Sequence, residues 1–190
     1  LMSQRYTSIA DVNLVRRIAV MGAAEDRILT VHHARDYDVR NLNANNAILL
    51  GSGRSNAWVE LFDKSLNFQF EYDAHQKKTY IVNKSPQPGE RPVYILTGTG
   101  AKIEDGYGVV AFLPNLGQTG NVLLIAGTDM EGTEAVGQFV CNERYMARLR
   151  SFLSPASSSG FPHFEVLLKT KRPGAAGQDI EIVAHRLIKH

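Results

Sequence analysis

Apolar residues recur along this chain in three rhythms, and each rhythm predicts a different element. In "TSIADVNLVRRIAVMG" the spacing of Ile9, Val12, Val15 and Ile18 predicts a helix with one apolar face. Ser8 can cap it, Asp11 stands at capping-box distance, and Gly22 marks its end. In "NFQFEYD" the rhythm is strict alternation, which puts Phe68, Phe70 and Tyr72 on one face of a strand. "TYIVN" follows after a polar turn, so the two predict a hairpin. "AILLG", "YGVVAFLP" and "NVLLIAG" are continuous apolar runs, as expected of strands covered on both faces.

The remaining segments fill in the order. "RILTVHH" and "VYILTG" predict further strands, and Val39–Leu42 one helical turn. "SNAWVELF" predicts a short helix capped by Ser55, with Trp58, Leu61 and Phe62 turned inward. "NLGQTG" suits an antiparallel connection. "TDMEGTEAVGQFV" starts a helix that "NERYMARLRSFL" continues or follows, with Met146, Leu149, Phe152 and Leu153 inward. "SPQPGERP" is a loop and "SPASSSG" a flexible link; "HFEVLLKTK" and "DIEIVAHRLI" close the chain as a hairpin around "RPGAAGQ". The sum is a single α/β domain over residues 1–190, expected to be three-layer and Rossmann-like or flavodoxin-like, with a mixed sheet and antiparallel hairpins. Because the chain starts at Leu1, it is expected to be a piece of a longer protein.

Composition narrows the function classes. A net charge of +2, spread evenly, is too mild for direct nucleic-acid contact. The basic residues of Arg144–Arg150 alternate with apolar ones at helical spacing and read as a solvated face. Cys141 is the single cysteine, which excludes a disulfide framework and a cysteine-ligated metal site within one chain, and its apolar surroundings suit a packing thiol. No apolar run is long enough to cross a membrane and there is no secretory signal, so no membrane contact is expected of this segment. His32 and His33, on a predicted strand, would point to opposite faces and cannot share a metal, while His75 and His163 read as surface residues. No nucleophile signature is present.

Two loops carry the candidate chemistry, each directly after an apolar strand. In "GSGRSN" the glycines allow close backbone approach, and the following helix start would favour an anion. Ser52, Arg54, Ser55 and Asn56 would supply polar contacts. Glu71 lies where a dinucleotide-binding unit places its ribose acid, but Asn56 stands in place of the third glycine and the next strand enters a hairpin. A purely structural turn is the competing reading. In "GTDMEGTE", Thr128 with Glu131 has capping-box spacing and Thr133 could cap instead. Asp129, Glu131 and Glu134 offer carboxylates for Mg²⁺ or a general base, set against a helix start enriched in acids by its dipole.

The ordered set "YTSIADVNLVRRI", "NAILLGSGRSNAWVELF", "NFQFEYD", "NVLLIAGTDMEGTEAVGQFV" and "HFEVLLKTK" resembles a poorly characterised bacterial domain, found toward the C-terminus of larger, often membrane-anchored regulator-like proteins, notably from acidobacteria. The resemblance covers nearly the whole chain. It places Gly51, Ser55, Asn56 and Trp58, with Gly127, Thr128, Gly132 and Thr133, at motif positions; Ala57 departs from the proline common before the tryptophan. It implies a role in signalling or transcriptional regulation, and a tether to the bacterial inner membrane in the full-length protein, but no activity.

Together these readings give one expectation: a non-enzymatic domain that senses a small polar or anionic molecule between the two loops. Its site would be Gly51, Ser52, Arg54, Ser55, Asn56, Trp58, Gly127, Thr128, Glu131, Gly132 and Thr133, with no cofactor, metal or catalytic residue. The alternatives are a metal-dependent enzyme acting on nucleotides or phosphoesters through Asp129, Glu131 or Glu134, and a ligand-free module that self-associates as a homodimer.

Overall fold

In the computed structural model, which describes residues 7–96, 105–153, 161–171 and 180–188, the continuous apolar runs form the centre of the main sheet. Its strands are β1 (Ala47–Leu50), β5 (Asp105–Pro114), β6 (Asn121–Gly127), β7 (Phe164–Lys171) and β8 (Ile180–Leu187), in the order β1-β6-β5-β7-β8. The alternating segments build a separate three-stranded antiparallel sheet from β2 (Phe68–Asp73), β3 (Lys78–Asn83) and β4 (Val93–Ile95). The fold is mixed α/β with two sheets. A flavodoxin-like core would join successive strands in parallel. Here β1 pairs in parallel with β6, whereas β6 with β5, β5 with β7 and β7 with β8 are antiparallel. The short "NLGQTG" turn forces one of those antiparallel pairs, because a parallel neighbour needs a crossover of a dozen residues or more.

The main sheet is covered on both faces, which is why its central strands are apolar throughout. On one face Val110, Ile125, Val166 and Leu168 pack against α3 (Met130–Val140) through Val136 and Phe139, and against α4 (Glu143–Leu153) through Leu149 and Leu153. Leu14 of α1 (Ile9–Ala24) joins the same core. On the other face Leu49, Ala111, Leu113 and Leu124 meet Leu42 of α2 (Val39–Ala44) and Val59 and Phe62 of a 3-10 helix, Ala57–Ser65. Beside them Tyr107, Val109 and Leu167 hold Phe68, Ile81 and Tyr94 of the small sheet.

Several local expectations shift. Ser8 does cap α1, accepting from the Asp11 N–H at 3.0 Å. The buried face, however, is Ala10 and Leu14, with Ile18 packed beside them, while Ile9 and Val12 face outward. The cause is Gly137, whose absent Cβ leaves room for Leu14: a methyl there would stand 2.8 Å from its Cδ1. The helix also runs past Gly22 to Ala24 and turns through Asp26 at φ +53°, with Arg27 N–H bonded back to Gly22. "RILTVHH" forms no strand; Ile28 is 96% exposed, and His33 instead caps a 3-10 turn by accepting from the Arg35 N–H. Leu61 and Phe152 are exposed rather than inward, because Val59 with Phe62, and Leu149 with Leu153, take the core positions. The "SPASSSG" link and the "RPGAAGQ" turn fall outside the described residues.

Polar groups join the two sheets. Glu165 of β7 accepts from the Asn67 and Phe68 N–H groups at 2.7 and 3.0 Å, where β2 begins. Arg186 of β8 grips Glu90, in the loop before β4, with both terminal nitrogens, and its Nη2 also donates to the Ser85 carbonyl at 3.0 Å. Asn83 and the Gln87 N–H also donate to Glu90. Facing the Arg186 guanidinium first, and these donors next, Glu90 has its pKa pulled down to about 2. A depressed carboxylate pKa contributes stability that is complete above about pH 4.5 and lost as pH falls toward about 2. Arg186→Gln is therefore expected to lower unfolding free energy near neutral pH by about 2–3 kcal/mol. The gap to wild type should close as the acid limb is descended, measured by urea unfolding at a series of pH values. A deficit of constant size at every pH would contradict this role.

Candidate functional site

The two loops singled out in the sequence stand side by side. Because β1 and β6 are adjacent and parallel, with Leu50 opposite Ile125, both chains leave the sheet at the same edge. The Gly51 N–H still bonds to the Ile125 carbonyl at 2.9 Å, so the "GSGRSN" turn begins two residues from Gly127 across the strand pair. From there the paths diverge. The chain after β1 enters the 3-10 helix on the face of Leu49 and Leu113, and the chain after β6 enters α3 on the face of Ile125 and Val110. In open α/β sheets a crevice forms where neighbouring connections leave to opposite faces, at the C-terminal ends of the strands.

Most of the polar groups in the first loop hold the loop itself. Gly51 sits at φ +93°, and a Cβ there would meet Ser55 Oγ at 2.2 Å. Ser55 Oγ donates to the Ser52 carbonyl at 3.1 Å. Asn56, not Ser55, caps the 3-10 helix: its Oδ1 accepts from the Trp58 N–H at 3.2 Å and its Nδ2 donates to the Leu50 carbonyl. Asn56 is buried by this work, so its place in the motif has a structural cause. Trp58 donates its Nε1–H to the Ala34 carbonyl at 2.7 Å, fastening the segment that precedes α2. Ser52 Oγ and the Arg54 guanidinium are different. Neither makes a hydrogen bond or ion pair among the described residues, and Arg54 lies flat on the exposed Tyr72 ring, its Cζ 3.4 Å from the centroid. That stacking fixes the cation while leaving its in-plane donors open.

The second loop is a tight seat for α3. Thr128 exchanges bonds with Tyr107: its N–H and Oγ1 donate to the Tyr107 carbonyl, and Oγ1 accepts from the Tyr107 N–H. The helix cap is Asp129 rather than Thr128 or Thr133, since Asp129 Oδ1 accepts from the Gly132 N–H at 2.7 Å. Thr133 Oγ1 donates to the Asp129 carbonyl at 3.0 Å. The glycines serve packing: a Cβ on Gly127 would stand 2.1 Å from the Thr133 nitrogen, and one on Gly132 would stand 2.8 Å from the Tyr107 carbonyl. Glu131 lies in the first turn of α3, where a negative charge suits the helix dipole.

The metal-dependent alternative rests on Asp129, Glu131 and Glu134. Asp129 is engaged as a cap, and among the described residues no group of three or more His, Cys, Asp or Glu side chains could hold a metal ion. Glu71 sits in the small antiparallel sheet, not beside β1, so the dinucleotide spacing was coincidental. His163 is half-buried and bonded to Asn121 at 2.8 Å, not a free surface group. Cys141 is half-buried, and burial pushes its thiol pKa up, as suits a packing residue.

Sequence reasoning missed one buried acid. Glu165 is 2% exposed, and burial raises its pKa even though the two backbone N–H bonds, then Arg186 and Lys84, oppose that rise. The available signal was a lone acid inside the apolar strand "HFEVLL", whose alternate positions face the core. It lines an open cleft of about 700 Å³ at the Pro114 end of β5. The two loops lie at the other end of that strand, where Gly108 pairs with Gly127.

Comparison with protein-family models, with curated proteins and with solved structures finds no match. No helix among the described residues is long and apolar enough to cross a membrane. The seating of α3 gives a direct test. Gly127→Ala is expected to cost about 3 kcal/mol or more, because the added methyl meets backbone that cannot turn aside. Urea unfolding midpoints measure it, and a cost below about 0.5 kcal/mol would show that the helix start is not seated on that glycine.

Proposed function

We propose that this domain is a non-enzymatic binding module that senses a small anionic molecule at the rim formed by the two loops. The observation that carries this reading is the divergence of the chain from the ends of β1 and β6 to opposite faces of the sheet, with an unpaired, stacked Arg54 beside it. Ser52 Oγ and the Arg54 guanidinium are the contacts offered outward, and Gly51, Ser55, Asn56, Thr128 and Thr133 hold the rim in shape. This division revises the expected site: fewer residues touch the guest, and more of the motif shapes its receptacle. Core clusters on both faces of the main sheet support the three-layer reading. The placement of this domain in a membrane-tethered bacterial regulator is part of the same proposal, and the motif resemblance is what supports it.

Arg54 is solvent-facing, so Arg54→Ala is expected to fold with stability within about 0.5 kcal/mol of wild type. Native mass spectrometry of the purified protein would first look for a bound small molecule. Melting curves with citrate, inorganic phosphate and a nucleoside monophosphate would then be compared for the two proteins. At least one anion is expected to raise the wild-type midpoint, with affinity about tenfold weaker in Arg54→Ala. No rise with any of these anions and no co-purified molecule would reject the reading, as would an equal rise in both proteins.

A further inference from the structure

Between α1 and the 3-10 turn Ala34–Asp36 the chain keeps a strand's sequence with no strand beside it. Arg27 to His33 runs without a turn or bend, and it contains none of the glycine, proline, asparagine or aspartate typical of solvated loops. Among the described residues, no backbone N–H or C=O of Ile28–His32 makes a hydrogen bond. Ile28 and Val31 are 96% and 66% exposed, and Leu29 is exposed as well. The run is nevertheless fastened at both ends. On one side the Arg27 N–H bonds to the Gly22 carbonyl, and Leu29 Cδ1 lies over Gly22, where a Cβ would stand 2.5 Å from it. On the other the His32 ring meets Tyr37, with centroids 5.4 Å apart, and the Ala34 carbonyl accepts from Trp58. A fixed backbone with unpaired edges is a template for another strand, and native proteins cover such edges or blunt them with charge and proline. Ile28–Val31 has neither device.

We infer that Ile28–His32 is a dimerisation strand, paired antiparallel with the same residues of a second copy across a two-fold axis at Thr30. Every copy presents the same free edge, so the contact is self-complementary and closes at two chains. Centred on Thr30, the pairing sets Leu29 opposite Val31 twice and Thr30 opposite its own counterpart. Apolar then meets apolar and hydroxyl meets hydroxyl, the kinds of cross-strand pair that stabilise antiparallel ladders. Ile28 falls opposite His32, and no two carboxylates or lysines face each other in the run. Strand alternation puts Leu29 and Val31 on one face. The second copy's Val31 therefore arrives beside Leu29, at the end of α1 where Val20 and Met21 are exposed. A two-stranded ribbon alone is marginal in water, and that apolar backing supplies what a lasting pair requires.

Sedimentation velocity of the whole chain over a concentration series tests this. The wild type is expected to shift from monomer to dimer as concentration rises, as suits a small interface. Val31→Asp places a carboxylate opposite Leu29 and is expected to stay monomeric. Val31 is exposed in the single chain, so circular dichroism should show that variant folded. Disulfide trapping then reads the register, in a Cys141→Ser background that removes the native thiol. Thr30→Cys is expected to cross-link two chains under mild oxidation, because position 30 faces its own counterpart. Ile28→Cys is expected to remain uncross-linked, since its counterpart lies at the other end of the pair. A wild type that stays monomeric throughout the series overturns the inference. So does a dimer that survives Val31→Asp, or equal cross-linking at positions 28 and 30, which would place the contact elsewhere.

Discussion

The parallel pairing of β1 with β6 is the constraint from which the functional geometry follows. An antiparallel partner would have sent the two loops to opposite ends of the sheet. Parallel neighbours instead end together, and Gly51 and Gly127 come within two residues of each other across the ladder. The chain then departs to opposite faces of the sheet, the arrangement at which open α/β sheets place their ligand sites. The price is steric: α3 must start directly against the sheet, and only glycine at 127 and 132 allows its backbone to come so close.

The rest of the molecule keeps that edge rigid. One helical layer presses on α3, with Leu14 of α1 seated against Gly137, so the helix that ends the rim is held from behind. On the other face the small sheet would be bound by few apolar side chains alone. Glu165 and the Arg186–Glu90 pair fasten it, each polar group meeting a partner as burial requires. The two acids titrate in opposite senses. Glu90 is stabilised as a carboxylate by the guanidinium beside it, and Glu165 is pushed toward its neutral form by burial. The joint between the sheets is therefore sensitive to pH through Glu90, chiefly on the acid side.

Much of this architecture was legible in the sequence, and the failures have identifiable causes. The continuous runs "AILLG" and "NVLLIAG" pointed to strands covered on both faces, and the alternation in "NFQFEYD" to a strand with one covered face. The antiparallel hairpins were legible from their short connections, whereas the parallel pairing of β1 with β6 was not, because it is set by tertiary contacts that leave no local mark. The face of α1 was misread since Ala10 and Gly137, both small, decide which side packs, and small residues carry little periodic signal. "RILTVHH" has a strand's composition but finds no neighbouring strand to pair with, and composition alone does not supply one. At the site, the loops and their proximity were anticipated, but not the division of labour within them. Asn56, Thr128 and Thr133 are polar residues in ligand-like positions whose hydrogen bonds close on the backbone. Glu165 went unnoticed because a single acid in a strand says nothing of what it meets across the fold.

The claim that matters most is that the rim between β1 and β6 receives an anion. Backbone amide NMR shifts during titration with inorganic phosphate read that edge residue by residue. Saturating shifts are expected at the amides of residues 52–54 and 128–131, with the amides around Lys84 and Leu116 unmoved. Shifts scattered over the surface with no concentration at those amides, or confined to the opposite end of β5, would contradict the account.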